Sequence, residues 1–242
     1  SNNVMVNVDG NADYINLSTN SASQTDTYVY ALIDANGNLV SFVDNAYDFN
    51  TLSVGNYSIQ GLSYEGTLTA VIGQPVAAIS ASTCFEFSTN SINVNVVSLP
   101  NVVINELNAD NPGGIDTQEF IELFGPANLS LDSLVMVFYD GATGVSYQAF
   151  DLDGYSLDAQ GFFVMGNANA TNVDLVFTNG ILQNGADAIA LYLADAVDFP
   201  NGTAPTAIAM VDAQVYGTAD ATATNLIAGL TLDVMVPGYA QF

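Results

Sequence analysis

The sequence contains no lysine, arginine or histidine, although a globular protein of 242 residues would ordinarily have about 30 Lys and Arg. Its 25 acidic residues leave a formal net charge of −25. No carboxylate can therefore pair with a side-chain base. Because exposed salt bridges contribute only ~0–1 kcal/mol each, a stable fold does not require them.

The missing bases exclude most of the chemistry that enzymes use near neutral pH. Without histidine there is no Ser-His-Asp or Cys-His arrangement, and without lysine there is no Schiff-base nucleophile. Without arginine there is no bidentate anchor for phosphate, so nucleic acids and anionic membrane surfaces are repelled. Only chemistry based on carboxylates remains, either a glycosidase pair or a metal site with oxygen ligands. We expect no enzyme activity and no nucleic-acid partner.

The chain also has no tryptophan and only one cysteine, Cys84. One cysteine cannot form an internal disulfide, and the alternating segment TCFEF predicts a strand in which Cys84 is a small buried hydrophobe. No apolar run reaches the ~20 residues of a membrane span, and the sequence does not open with the basic and apolar regions of a signal peptide. We therefore expect no membrane insertion.

Short segments with alternating apolar and polar residues recur along nearly the whole chain. Asn36-Gly37, between the segments 28–33 and 39–43, predicts a β-hairpin because both residues tolerate positive φ. In contrast, residues 219–230 lack the apolar spacing of an amphipathic helix. Strands every 8–12 residues predict β-sandwiches, and Pro100 favours a domain boundary near 98–101. The sequence thus predicts an all-β fold with domains at 1–99 and 100–242.

The first domain resembles a repeat of secreted and cell-surface proteins of Bacteroidetes over residues ~1–98. The resemblance is carried by TYVYALIDANGNLVSF, GLSYEGTLTA and CFEF, all within residues 27–96. That repeat usually has a second cysteine three or four residues before its GLSY segment. Tyr57 stands at this position here, so the resemblance implies that Cys84 has lost its disulfide partner.

The second domain resembles a bacterial extracellular lamin-tail domain over residues ~101–242. The matching segments are Ile104–Leu107, Glu119–Leu123, Asn128–Leu134 and Gln183–Leu191. This resemblance implies an immunoglobulin-like sandwich without catalytic residues, of a kind that often neighbours repeats like the first domain. Together the two resemblances predict two immunoglobulin-like β-sandwich domains in series, in a protein that is secreted or displayed on the cell surface.

Carboxylates in and around the loop 108–118 form a candidate metal site. Asp110, Asp116, Glu119 and Glu106 supply oxygen ligands, and the backbone carbonyls of Gly113 and Gly114 could supply more. Because Ca²⁺ takes six to eight oxygen ligands, the sequence predicts Ca²⁺ as the only candidate cofactor. The alternative is that a loop rich in Asp, Asn, Pro and Gly is only a solvated turn.

A glycosidase pair is the remaining catalytic possibility. Glu106 and Glu122 are expected to be cross-strand neighbours, and glycosidases use two carboxylates about 5–10 Å apart in a sugar-binding cleft. However, the chain has no tryptophan to line such a cleft, and small sandwiches offer no deep one. We therefore expect these residues not to be catalytic.

These observations predict a non-catalytic extracellular structural or adhesive module, such as a subunit or repeat of a filament, stalk or adhesin. Its expected partners are copies of itself or neighbouring domains of the same surface protein, and a glycan or another surface ligand. The apolar N-terminal strand at 4–8 is the predicted segment for self-association through a sheet edge. The alternative is a pair of accessory binding domains of a larger secreted nuclease or hydrolase.

Overall fold

The structure is a computed structural model that describes residues 2–8, 12–19, 27–111, 116–217 and 223–231. It divides into two compact units, residues 1–99 and 100–242. Almost all of the regular elements in the described ranges are strands, so the prediction of an all-β fold is confirmed.

The first unit is built on one five-stranded sheet. The unit contains the strands β1 (Asn2–Asn7), β2 (Thr27–Asp34), β3 (Leu39–Val43), β4 (Gly55–Glu65), β5 (Leu68–Thr69), β6 (Ser80–Ala81) and β7 (Cys84–Val97). The sheet has the order β1-β7-β4-β2-β3, and β5 pairs with β6 in a separate two-stranded ribbon. β1 runs parallel to β7, whereas the other pairs are antiparallel.

Apolar side chains cover both faces of this sheet because successive residues of a strand point to opposite sides. On one face, Leu32 and Ile59 pack with Phe49 from the connection between β3 and β4. On the other face, Ala31 and Leu62 pack with Ile79, which precedes β6. The alternation that predicted the strands therefore also divides the core into two layers.

A hydrogen bond at the start of β4 fixes the turn that leads into the strand. The hydroxyl of Tyr57 donates to the backbone carbonyl of Ser53 at 2.9 Å. Two residues further on, Ile59 is only 2% exposed. The bond is similar to the tyrosine corner of immunoglobulin-like sandwiches. The immunoglobulin-like character of the first unit stays a prediction, because its main sheet is a single five-stranded one.

The predicted relationship between Cys84 and Tyr57 is wrong. In the register of β4 and β7, Tyr57 lies opposite Val94 and Cys84 lies opposite Glu65. The two positions are therefore about 26 Å apart along the strands, at ~3.3 Å per residue. Cys84 is also exposed rather than buried, because the first residues of β7 extend beyond the core.

The second unit is a sandwich of two four-stranded sheets. Its elements are β8 (Val103–Asn108), β9 (Phe120–Phe124), β10 (Leu134–Asp140), β11 (Val145–Asp151), β12 (Phe162–Gly166), β13 (Leu175–Val176), β14 (Ala186–Leu193), β15 (Met210–Gly217) and the helix α1 (Thr224–Gly229). The sheet orders are β11-β10-β14-β15 and β13-β12-β9-β8. Ile121 and Phe163 of the second sheet pack with Phe138 and Ile189 of the first in one core.

The β11-β10-β14-β15 sheet is buried on its other face as well. Val137 and Tyr139 pack there with Phe199 and with Leu226 of α1. The six-residue helix lies within 219–230, where the sequence was predicted to lack the apolar spacing of an amphipathic helix. That prediction is wrong, because the residues packed on the sheet follow the helical spacing i, i+3, i+4 and i+7, namely Ala223, Leu226, Ile227 and Leu230.

No helix in the described ranges is both long enough and apolar enough to cross a membrane.

Candidate functional site: a polar groove and a buried acid in the second unit

The outer face of the second sheet, which is the side turned away from the sandwich core, carries three rows of paired side chains. In β9, Ile121 and Leu123 point into the core, so Phe120, Glu122 and Phe124 point outward. The rows, read across β8, β9 and β12, are Asn108–Phe120–Gly166, Glu106–Glu122–Val164 and Val103–Phe124–Phe162. The prediction that Glu106 and Glu122 are cross-strand neighbours is confirmed.

Two adjoining depressions form a groove on this outer face. The larger has a volume of about 410 Å³ and the smaller about 270 Å³. Glu122, Val164 and Asn172 line both, so the depressions are continuous. Glu106, Gln118 and Phe120 line the larger one, and Asp158, Phe162 and Asp174 line the smaller.

The groove offers hydrogen-bonding groups together with aromatic surface. Glu122, which lines both depressions, accepts a hydrogen bond from Asn105 Nδ2 at Oε1, at 2.7 Å. Beside this row, the rings of Phe124 and Phe162 lie 4.9 Å apart, and Phe124 is 41% exposed. Carboxylates that no base neutralises can accept hydrogen bonds from hydroxyl groups, but they repel anions.

The structure does not bring the four predicted calcium ligands together. Glu106 is exposed on the outer face, whereas Glu119 precedes β9 and is fully buried. Gly113 and Gly114 lie outside the described residues. In the part of the chain that is described, no three carboxylate or thiol side chains are grouped so that they could hold a metal ion.

Asp116 takes part in the hydrogen bonds of the loop. Its Oδ1 accepts from the backbone N–H of Asn111 at 2.9 Å, and its Oδ2 accepts from Asn184 Nδ2 at 3.0 Å. Asn111 Oδ1 in turn accepts from the backbone N–H of Gln118 at 2.9 Å. Asp116 and Asn111 are therefore held by hydrogen bonds within the protein, and the alternative of a solvated turn stays a prediction.

Glu119 is the centre of a buried polar network. Its Oε2 accepts from Asn167 Nδ2 at 3.1 Å and from the backbone N–H of Gly180 at 2.7 Å. Asn167 Oδ1 accepts from the backbone N–H of Glu119 at 2.7 Å. Burial raises the pKa of the Glu119 carboxyl, and the charge of Asp116 raises it further, while the contacts from Asn167 and from the backbone of Gly180 and Ile181 act in the opposite direction.

Two polar atoms of this region lack a partner. Glu119 Oε1 and the hydroxyl of Tyr216 are both buried, and neither makes a hydrogen bond within the described structure. Burial raises the pKa of Tyr216 well above its usual value, the nearby Tyr147, Asp187 and Glu119 raise it further, and Tyr147 is also within hydrogen-bonding reach of the Tyr216 hydroxyl. Sequence reasoning named Glu119 but missed Tyr216, which is distant in sequence and lies on β15.

No protein family, no curated protein and no solved structure matches the chain. The resemblances to a Bacteroidetes surface repeat and to a lamin-tail domain therefore stay predictions.

Proposed function

We propose that the chain is a non-catalytic extracellular structural and adhesive module, and that the groove on the outer face is its ligand-binding site. The observation that carries this proposal is the Glu106–Glu122 pair, set within an open groove between the outward rings of Phe120 and Phe162. Polar groups that converge beside aromatic surface are typical of ligand sites.

The groove is better suited to binding than to turnover. Glycosidases need one carboxyl group that stays protonated near neutral pH, and they obtain it by burying that group in an apolar pocket. Glu106 is exposed and Glu122 is only half-buried, so both remain in contact with solvent. Since there is no His or Lys, only a carboxyl group could move a proton, and neither of these two is buried enough to stay protonated near neutral pH.

The chemistry of the groove favours a neutral glycan as ligand. Carboxylates and amides such as Gln118 and Asn172 can bond to sugar hydroxyls, and the phenylalanine rings can pack against the apolar face of a sugar ring. Phosphate, sulfate and carboxylate groups on a ligand would meet Glu106 and Glu122 with no cation to offset the repulsion.

A panel of neutral and anionic glycans tests this proposal. We expect saturable binding to members of the neutral set, weaker binding to their sulfated or uronic-acid counterparts, and no release of sugar products. Binding that is equal for neutral and anionic glycans, or hydrolysis of any of them, would argue against the proposed role.

A second role, as a subunit of a filament or stalk, is favoured by the position of β1. This strand lies at one edge of the five-stranded sheet and pairs with β7 on its inner side. An edge strand can add to the sheet of another copy. Electron microscopy of the native material tests this role: filaments are expected if β1 joins copies, and uniform monomers are expected if it does not.

A further inference from the structure

Asn-Gly and Asp-Gly pairs are the dipeptides of a protein that rearrange most readily without an enzyme. The glycine nitrogen loses its proton and attacks Cγ of the preceding side chain, and no side chain on the glycine hinders the approach. The new C–N bond closes a succinimide ring, while the Asn amide group leaves with the displaced proton as ammonia, or an Asp hydroxyl leaves as water. Water then opens the ring to aspartate or isoaspartate. The described residues contain these pairs: Asn36-Gly37, Asp140-Gly141, Asp153-Gly154, Asn179-Gly180, Asn184-Gly185 and Asn201-Gly202.

In each of these pairs the glycine N–H donates a hydrogen bond. Gly37 donates to the backbone carbonyl of Asp34 at 3.0 Å, and Gly202 donates to that of Ser146 at 2.8 Å. The remaining glycines donate to side-chain carboxylates: Gly141 to Asp187 Oδ1 at 2.7 Å, Gly185 to Asp187 Oδ2 at 3.0 Å, Gly180 to Glu119 Oε2 at 2.7 Å and Gly154 to Asp132 Oδ1 at 2.8 Å. The nitrogen that would attack is therefore engaged at every described pair.

Asp187 bonds to two pairs that are far apart in the sequence. It lies on β14 and is only 2% exposed. Gly141 directly follows β10 and Gly185 directly precedes β14, and each donates to a different oxygen of this carboxylate. A buried carboxylate is normally paired with a base, and the chain contains none. Backbone N–H groups of reactive glycines take the place of that base here.

We infer that the carboxylates of Asp187, Glu119 and Asp132 protect the second unit from succinimide formation. Each carboxylate holds the proton that the glycine nitrogen has to lose, and its charge repels the amide anion that would form. Hydrogen bonds to charged groups are among the strongest in proteins, so loss of one should speed the reaction at that pair about 10–100-fold. This protection preserves the covalent backbone and does not depend on ligand binding in the groove.

Peptide mapping of the full chain after incubation in mildly alkaline buffer measures the reaction at each pair. Deamidation of Asn changes the mass of a peptide, and isomerisation of Asp changes its chromatographic retention. The peptides are made by cleavage at acidic or aromatic residues, because the chain offers trypsin no site. We expect the folded wild-type chain to react more slowly than the chain in urea at every described pair.

Asp187→Asn tests the protection directly. The substitution replaces one carboxylate oxygen by an NH₂ group that cannot accept a hydrogen bond, so at least one of the two glycine N–H groups loses its acceptor. Deamidation at Asn184 or isomerisation at Asp140 should then be about 10–100-fold faster. Asn36 and Asn201 are internal controls and should keep the wild-type rate, because the glycines that follow them donate to backbone carbonyls.

Asp132→Ala is the second variant, because Asp132 is exposed and its side chain is not part of the core. Isomerisation at Asp153 should become about tenfold faster. Wild-type rates at both Asn184 and Asp140 in a folded Asp187→Asn variant would overturn the inference. If Asp187→Asn does not fold, or speeds all Asn-Gly pairs alike, Asp132→Ala decides: an unchanged rate at Asp153 then excludes protection by carboxylates.

Discussion

Glu106 of β8 lies directly opposite Glu122 of β9 on the exposed face of the second sheet. Like charges in this cross-strand position destabilise a sheet, and no base in the chain offsets them. The pair therefore destabilises the sheet slightly, but it gives the groove two carboxylates that accept hydrogen bonds.

Replacing Glu106 by glutamine should stabilise the second unit by about 0.5 kcal/mol, because it removes the cross-strand repulsion and retains the bond from Asn105 to Glu122. Urea denaturation measures the change. Glu86→Gln is the matched control, since Glu86 lies opposite the uncharged Ser63. Equal stabilisation by both substitutions would mean that net charge, and not the facing pair, is responsible.

The second unit should become more stable as the pH falls from 7 towards 5. Burial raises the pKa values of Glu119, Asp187 and Asp212. A carboxyl whose pKa is raised by folding binds its proton more tightly in the folded state. Its stabilisation is therefore complete below the unfolded pKa, ~4 for Asp and Glu, and is lost as the pH rises through the folded pKa.

Urea denaturation as a function of pH, with EDTA present to remove bound cations, tests this dependence. Glu119→Gln should flatten the profile because its amide does not titrate. At lower pH a second effect acts in the same unit: backbone N–H groups lower the pKa values of Asp132 and Asp158, so the stabilisation by these two carboxylates is lost as the pH falls through their folded pKa values. Stability that increases from pH 5 to pH 7 would contradict the account.

Replacing Tyr57 by phenylalanine should destabilise the first unit by about 1 kcal/mol, because it removes the hydrogen bond to Ser53. Thermal or urea unfolding provides the measurement. Tyr14 is 61% exposed, so Tyr14→Phe controls for the loss of a hydroxyl as such. If the two variants unfold alike, the bond from Tyr57 to Ser53 does not stabilise this unit.

The buried hydroxyls of Tyr139 and Tyr192 lie 3.0 Å apart on neighbouring strands of the second unit. Tyr139→Phe should cost about 1–2 kcal/mol, because it removes one partner of a buried hydrogen bond. The same unfolding experiment and the same Tyr14→Phe control apply. A cost below about 0.3 kcal/mol would show that the pair is not a stabilising contact.

Because side chains alternate between the two faces of a strand, the sequence predicts which residues share a face of the sheet. It paired Glu106 with Glu122 across neighbouring strands, as the structure has them. The same alternation also separates Glu119 from Glu122, because residues three apart in a strand point to opposite faces. Applied to the proposed calcium ligands, it would have shown that Glu106 and Glu119 cannot meet.

Other features depend on contacts between distant residues and leave no local pattern. The segment 67–72 alternates like a strand, yet β5 covers only Leu68–Thr69. The chain leaves the ribbon there, and the backbone groups of Gly73 and Gln74 bond to Leu39. Likewise, the hydrogen bonds that Glu119 accepts come from Asn167, which is 48 positions away in the sequence, and from Gly180, which is 61 positions away. No short sequence window contains such information.

The central claim is that the groove around Glu122 binds a neutral glycan without cleaving it. Isothermal titration of the wild-type chain with the best glycan of the panel, alongside Phe120→Ala, Glu122→Gln and the distant Glu86→Gln, tests it most directly. We expect both groove variants to lose at least about tenfold in affinity, which is ~1.4 kcal/mol, and Glu86→Gln to bind like the wild type. Equal affinity in all four chains, or sugar products in the titration cell, would contradict the claim.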